Sequence, residues 1–277
     1  MNAQPWLKSY PAGMRWDAPL DLGLVQSVLD AAAQRFGPLP ALEFMDKRIT
    51  YAELEALANR AAAGFQKLGV GPGVRVGLYL LNTPHYPIAF FGVLKAGGSV
   101  VNYSPLDALR TLEFKIEDSE TDILVTLDLA ATFSQAEKLV DSTRLKTLVV
   151  GEFGEFALAP APVKALMTAQ GMLSVVRFDE RRVAFRDLLD NDGRYTAHRP
   201  GDPAEALAVI QYTGGTTGPP KGAMLTHANL TAATAQYAET TRTETETLEE
   251  GKERMLCVLP LFHIYALSVV LMLGLRF

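Results

Sequence analysis

Strand-like and helix-like segments alternate along most of this chain, and that alternation leaves few architectures open. Residues 24–36 carry apolar side chains at helical spacing and stop at Gly37-Pro38. Thr50 and Glu53 stand three apart, the spacing of a capping box, and predict a helix over 50–68 that Gly69 is positioned to end. Residues 74–80 read as a strand, 84–96 as a helix stopped by Gly97-Gly98, and 99–102 as the next strand. Further strands are predicted at 123–127, 147–150 and 206–212, with helices between the first of these. This order specifies an α/β fold of largely parallel strands flanked by helices on both faces. No period of repeat-protein length is present.

Three polar stretches interrupt the pattern. Residues 151–162 and 190–203 are rich in small, acidic and Pro residues and read as loops, the second a candidate junction inside the domain. Residues 241–254 alternate Thr and Glu without an apolar face and predict an exposed loop. The run 255–275 is almost uncharged and reaches membrane-spanning length, but Pro260 and His263 interrupt it. It reads as a strand, a turn and a helix start inside a core, with Cys257 a buried thiol rather than a reactive one.

Charge narrows the function classes. The net charge is −5, with 26 Lys and Arg scattered among 31 acids, so nothing draws the chain to nucleic acid. One cysteine forms no internal disulfide. Residues 1–10 contain no apolar stretch, so the expectation is a cytoplasmic protein without a secretory signal, with peripheral membrane contact and a homodimer left open.

The segment that carries chemistry is Tyr212-Thr213-Gly214-Gly215-Thr216-Thr217-Gly218-Pro219-Pro220-Lys221-Gly222, between an apolar strand and a helix expected from Thr226 onward. Glycines let backbone amides close on an anion, the hydroxyls of Thr213, Thr216 and Thr217 add donors, and Lys221 adds a point charge. No acid lies in the loop. A Walker A loop requires Gly-Lys followed by Ser or Thr, and here Lys221 stands between Pro220 and Gly222. Gly69, Gly71 and Gly73 are wrongly spaced for a dinucleotide fingerprint. A turn merely rich in Gly and Thr is the bland alternative.

Residues 212–222, continued by Ala223-Met224-Leu225-Thr226-His227-Ala228-Asn229-Leu230, resemble the signature loop of the adenylate-forming superfamily, the acyl-CoA synthetases, luciferases and peptide-synthetase adenylation domains. Gly214, where most of that superfamily has Ser, resembles the long-chain fatty-acid CoA ligases. So do Trp6-Leu7-Lys8-Ser9-Tyr10-Pro11, Leu94-Lys95-Ala96-Gly97-Gly98-Ser99-Val100-Val101-Asn102, and Leu259-Pro260-Leu261-Phe262-His263-Ile264-Tyr265-Ala266-Leu267.

The resemblance implies that residues 1–277 are part of the N-terminal AMP-binding domain of that fold. It implies a fatty carboxylate attacking the α-phosphate of Mg-ATP to give acyl-adenylate and pyrophosphate, and CoA then displacing AMP. By that likeness Thr213, Gly214, Gly215, Thr216, Thr217, Gly218 and Lys221 bind the nucleotide, and Lys221 and His263 serve catalysis at the phosphate and acyl ends. A backbone-bonded core histidine is the alternative for His263. His227 reads as a first-turn helix residue, and His85 and His198 as surface residues; no metal-ligand spacing links the four. Family motifs for the Mg²⁺ ligand, the ribose contact, the hinge and the C-terminal lysine have no counterpart here, so the chain alone is expected to be inactive and to leave apolar surface uncovered. An acyl-AMP or aryl-CoA ligase, and a non-catalytic nucleotide- or lipid-binding module, are the competing readings.

Overall fold

The computed structural model describes residues 4–11, 13–20, 22–213, 218–241 and 249–277. A short 3₁₀ helix, Pro5–Ser9, precedes α1 (Gln26–Phe36). A two-stranded hairpin follows, β1 (Pro40–Phe44) and β2 (Lys47–Thr50), turning at Met45 and Asp46 with φ of 46° and 64°. Two positive φ values in a two-residue loop match the twist of the flanking strands. Sequence patterning gave no sign of this hairpin.

The rest is one wrapped sheet. Its elements run α2 (Tyr51–Lys67), β3 (Arg75–Leu78), α3 (His85–Ala96), β4 (Ser99–Asn102), α4 (Leu109–Asp118), β5 (Thr121–Leu127), α5 (Ala130–Ser142), β6 (Thr147–Gly151), α6 (Pro160–Ala169), β7 (Arg182–Ala184), α7 (Phe185–Leu188), β8 (Leu207–Thr213), β9 (Lys221–Thr226) and α8 (His227–Thr240). A π-helical turn, Ala266–Met272, leads into α9 (Leu273–Arg276). The sheet order is β7-β6-β5-β3-β4-β8-β9, parallel except for the β8/β9 pair.

Strand periodicity of two divides the interior into two cores. Val76, Leu78, Val100, Val125 and Val149 face one layer with α1, α2 and α3, while Tyr79, Val101, Leu124 and Leu148 face another with α4 and α5. The predicted caps are present. Thr50 Oγ1 accepts from the Glu53 amide at 3.2 Å, and the Glu53 carboxylate accepts from the Thr50 amide at 2.8 Å. Gly97 closes α3 in the left-handed region at φ 94°.

Two expectations change. Residues 160–162 open α6 rather than continuing a loop, because Pro160 stands at the helix start, where its missing N–H costs nothing. The strand expected at the start of the run 255–275 does not form: residues 255–259 are irregular, with Leu256 81% and Val258 71% exposed and Cys257 exposed as well. Their apolar side chains find no packed layer there. Among the described residues no helix is long and apolar enough to cross a membrane.

Candidate nucleotide and acyl site

The candidate site lies at the carboxyl ends of β4 and β8, the edge at which open α/β sheets bind ligands. Strand β8 enters it firmly anchored. Tyr212 donates its hydroxyl to Asp118 at 2.6 Å, and Gln211 turns the other way to accept from Asn102 Nδ2 at 3.1 Å. Thr213, the last residue of β8, is exposed and stands opposite Lys221 in register. Its hydroxyl donates to the Lys221 carbonyl at 3.4 Å.

The polypeptide therefore returns as a strand before the helix begins. The expected strand, loop and helix become strand, loop, strand β9 and helix α8, with Lys221 the first residue of β9 and not a loop residue. Gly218 takes φ of 102°, a conformation that favours glycine. Gly214, Gly215, Thr216 and Thr217 lie outside the described residues. Lys221 is exposed, and among the described residues its ammonium group has no ion pair or hydrogen bond. A hydroxyl and an unneutralised ammonium at the neck of a glycine-rich loop suit an anionic phosphate.

His263 reaches the same edge by a different route. Asn82, just beyond β3, donates Nδ2 to the carbonyls of Cys257 at 3.0 Å and Leu259 at 2.9 Å, and its Oδ1 accepts the Leu261 amide at 2.9 Å. Gln211 Nε2 donates to the Phe262 carbonyl at 3.1 Å. The residue before His263 is thus bonded to the residue two before Thr213. The His263 amide donates to Pro260 O at 3.0 Å, and its ring lies 4.6 Å from that of Phe262. The side chain is exposed, and its ring nitrogens make no hydrogen bond among the described residues. This is not the backbone-bonded core histidine of the alternative reading.

The other histidines are structural. His227 opens α8, is 5% exposed, and accepts the Val25 amide at Nδ1 at 3.1 Å; burial, with a smaller contribution from His198, pushes its pKa down to about 4. His85 overturns the surface expectation. It is fully buried between Phe156 and Phe185, bonded to Thr83 at 3.0 Å and Glu155 at 2.5 Å, because every residue of α3 is buried. His198 is half-buried in an irregular segment against Gly97.

Sequence reasoning missed the residues that align the site: Asn82, Gln211, Asn102 and Tyr86, whose hydroxyl donates to Asn102 Oδ1 at 2.8 Å. The signal was present. Asn102 ends β4 and Gln211 follows the apolar run Leu207-Ala208-Val209-Ile210 of β8, and a buried amide in such a strand requires partners.

The chain is similar to known proteins over nearly its whole length. A family model described as AMP-binding enzyme matches residues 29–277. A long-chain-fatty-acid–CoA ligase of Bacillus subtilis (strain 168) is 32% identical over 273 residues, covering 98% of this chain and 48% of its own. One of Escherichia coli O157:H7 is 36% identical over 282 residues, covering 95% and 47%. The crystal structure of the anthranilate CoA ligase AuaEII in complex with anthranoyl-AMP superposes with a TM-score of 0.75 at 20% identity, covering 94% of this chain and 44% of that one. The chain spans about half the length of the curated relatives it matches. On the family match and these relatives together, the chain belongs to the AMP-binding enzymes.

Proposed function

We propose that this chain supplies the phosphate-handling and acyl-facing half of an ATP-dependent ligase that converts a long-chain fatty acid to acyl-adenylate and then to acyl-CoA. One observation carries the reading: the Gln211–Phe262 bond joins the strand leading to Thr213 with the segment bearing His263. The Lys221 ammonium and the His263 ring nitrogens, which make no hydrogen bond or ion pair among the described residues, thereby belong to one sheet edge.

In this reading Thr213, Lys221 and the Gly/Thr residues 214–218 hold the phosphates, and Lys221 offsets charge on the departing pyrophosphate. His263 stands where the acyl carboxylate meets the nucleotide. ATP supplies the leaving group that a carboxylate lacks, so positioning and charge stabilisation, without a protein nucleophile, are what these side chains contribute. ATP is used with Mg²⁺ in this reading, and no residue of this chain is assigned as its ligand.

The test is ATP–pyrophosphate exchange with carboxylates of graded length and an aromatic acid, on a protein extending this chain to the length of its relatives. Long-chain acids are expected to drive exchange, and Lys221→Ala to lower it about 10²-fold or more. Preference for the aromatic acid would favour an aryl-CoA ligase, and exchange unaffected by Lys221→Ala would remove the proposed role. The 277-residue chain alone is expected to form no acyl-CoA.

A further inference from the structure

Strand β9, which begins at Lys221, is the outer strand of the sheet, and among the described residues only β8 pairs with it. The position of the Lys221 ammonium therefore depends on what holds the β8/β9 pair against the rest of the molecule. The bond nearest the loop is long, with the Thr213 hydroxyl 3.4 Å from the Lys221 carbonyl. A firmer attachment lies one residue back, at Tyr212.

Tyr212 stands opposite Gly222 in register, next to the Thr213/Lys221 pair. A methyl group on Gly222 would lie 3.3 Å from Tyr212 Cζ and 2.9 Å from Ile210 Cγ2, so the missing side chain lets the ring lie close over the strand that carries Lys221. The far end of the ring reaches α4. Its hydroxyl donates to Asp118 Oδ2 at 2.6 Å, with the Lys115 carbonyl a second acceptor at 3.1 Å. The Lys115 ammonium lies 5.2 Å from the ring centre and pairs with Asp107 at 2.6 Å, in the turn between β4 and α4. One phenol thus joins the two strands at the neck of the glycine-rich loop to the end of a helix.

A phenylalanine would pack the same ring, and only the hydroxyl reaches α4. Asp118 is the last residue of α4, where a carboxylate meets the negative end of the helix and gains nothing from it. What it does gain there is the charge-assisted bond from Tyr212. Burial, and after it Asp118, hold the Tyr212 phenol well above its ordinary range, so the hydroxyl remains a donor through neutral pH. We propose that Tyr212 is a positioning residue for Lys221: its hydroxyl, anchored on Asp118, fixes the β8/β9 pair against α4 and so sets where the Lys221 ammonium meets the phosphates. This rests on the phosphate role given to Lys221 above and assigns no contact between Tyr212 and substrate. A displacement of about 1 Å in a reacting geometry costs on the order of 10²-fold, so a bond remote from the phosphates controls turnover while leaving acyl binding alone.

The first measurement is amide hydrogen exchange on the 277-residue chain. Tyr212→Phe keeps the ring and removes the tether, and is expected to speed exchange at Lys221, Gly222 and Ala223 about five-fold or more, with β5 and β6 unchanged. Asp118→Ala removes the same bond from the other side, so the test stands if one variant fails to fold; Asp118→Asn, which keeps an acceptor, is expected to recover most of the loss. The second measurement is ATP–pyrophosphate exchange on the protein extended to the length of its relatives. There Tyr212→Phe is expected to lower kcat about ten-fold with KM for the fatty acid unchanged, and to cause no further loss once Lys221→Ala is present. Unaltered amide exchange in Tyr212→Phe and Asp118→Ala, a raised KM for the fatty acid with kcat retained, or a ten-fold loss added to that of Lys221→Ala would each overturn the proposal. Lys221→Ala without effect would remove the phosphate role and this proposal with it, whereas a loss with Lys221→Ala and none with Tyr212→Phe would overturn this proposal alone.

Discussion

Asn82 and Leu261 are 179 positions apart, yet the Leu261 amide donates to Asn82 Oδ1 at 2.9 Å while the Asn82 amide nitrogen reaches Cys257 and Leu259. One side chain thus organises three main-chain groups of a segment that has no regular secondary structure to satisfy them. Asn82→Leu keeps the size and removes every bond. A loss of about 1–3 kcal/mol is expected, concentrated as faster hydrogen exchange across 257–263 with exchange in α2 unchanged. Unaltered exchange in that segment would show that Asn82 does not hold it.

His227 sets a pH dependence. Its imidazole titrates near 6.5 when unfolded and at about 4 in the fold, because burial disfavours the charged ring and Nδ1 is occupied by the Val25 amide. The unfolded chain therefore takes up the proton first as pH falls. Stability from this residue is complete above about 6.5, declines between 6.5 and 4, and is level below, a difference on the order of 3 kcal/mol. His227→Asn retains an acceptor without the titration. Urea unfolding at pH 7, 5.5 and 4.5 is expected to show a shallower decline for the variant than for the unsubstituted protein.

Two glycines give opposite expectations. A methyl group at Gly64 on α2 would run into the Leu188 carbonyl and approach Leu188 Cγ at 2.7 Å, whereas at Gly71 nothing lies within 4 Å. Gly64→Ala is expected to cost about 1–3 kcal/mol through overpacking, and Gly71→Ala to leave stability unchanged or slightly raised. Thermal unfolding of the two variants side by side reads the difference.

The irregular segment ahead of His263 predicts self-association. Leu256 and Val258 are 81% and 71% exposed, with Met255 and Leu259 nearly half exposed beside them. A contiguous apolar surface of this kind draws copies together. Sedimentation velocity is expected to show concentration-dependent oligomers, relieved by Leu256→Lys with Val258→Lys. Monomers at every concentration in the unsubstituted chain would contradict this.

Local signals were legible where one residue type has one physical use. The Thr50/Glu53 box and Gly97 announced their helix ends, and the apolar runs at β4, β5 and β8 announced a doubly covered sheet. Strand β9 was missed because Lys221, Ala223 and Met224 are exposed in an edge strand, so its pattern resembles a loop. Cys257 and His85 exchanged places against expectation for a shared reason: an apolar neighbourhood in sequence is not a packed neighbourhood in space. Cys257 sits in an apolar run that finds no layer to join, while His85 begins a helix whose every residue is buried. The loop chemistry was readable from composition; the amides that align it were not, since their partners are separated by as many as 179 positions.

The pairing of β4 with β8 carries a consequence for the time course of folding. Val100 lies beside Val209, whereas β3, β4, β5 and β6 find their neighbours within short crossovers. At a synthesis rate of about 5–20 residues per second, the far side of β4 waits several seconds or more for its partner to emerge from the ribosome. During that interval an unpaired strand edge with two valines stands open, and the nascent chain is most vulnerable to aggregation well before either end of the future nucleotide site has been made.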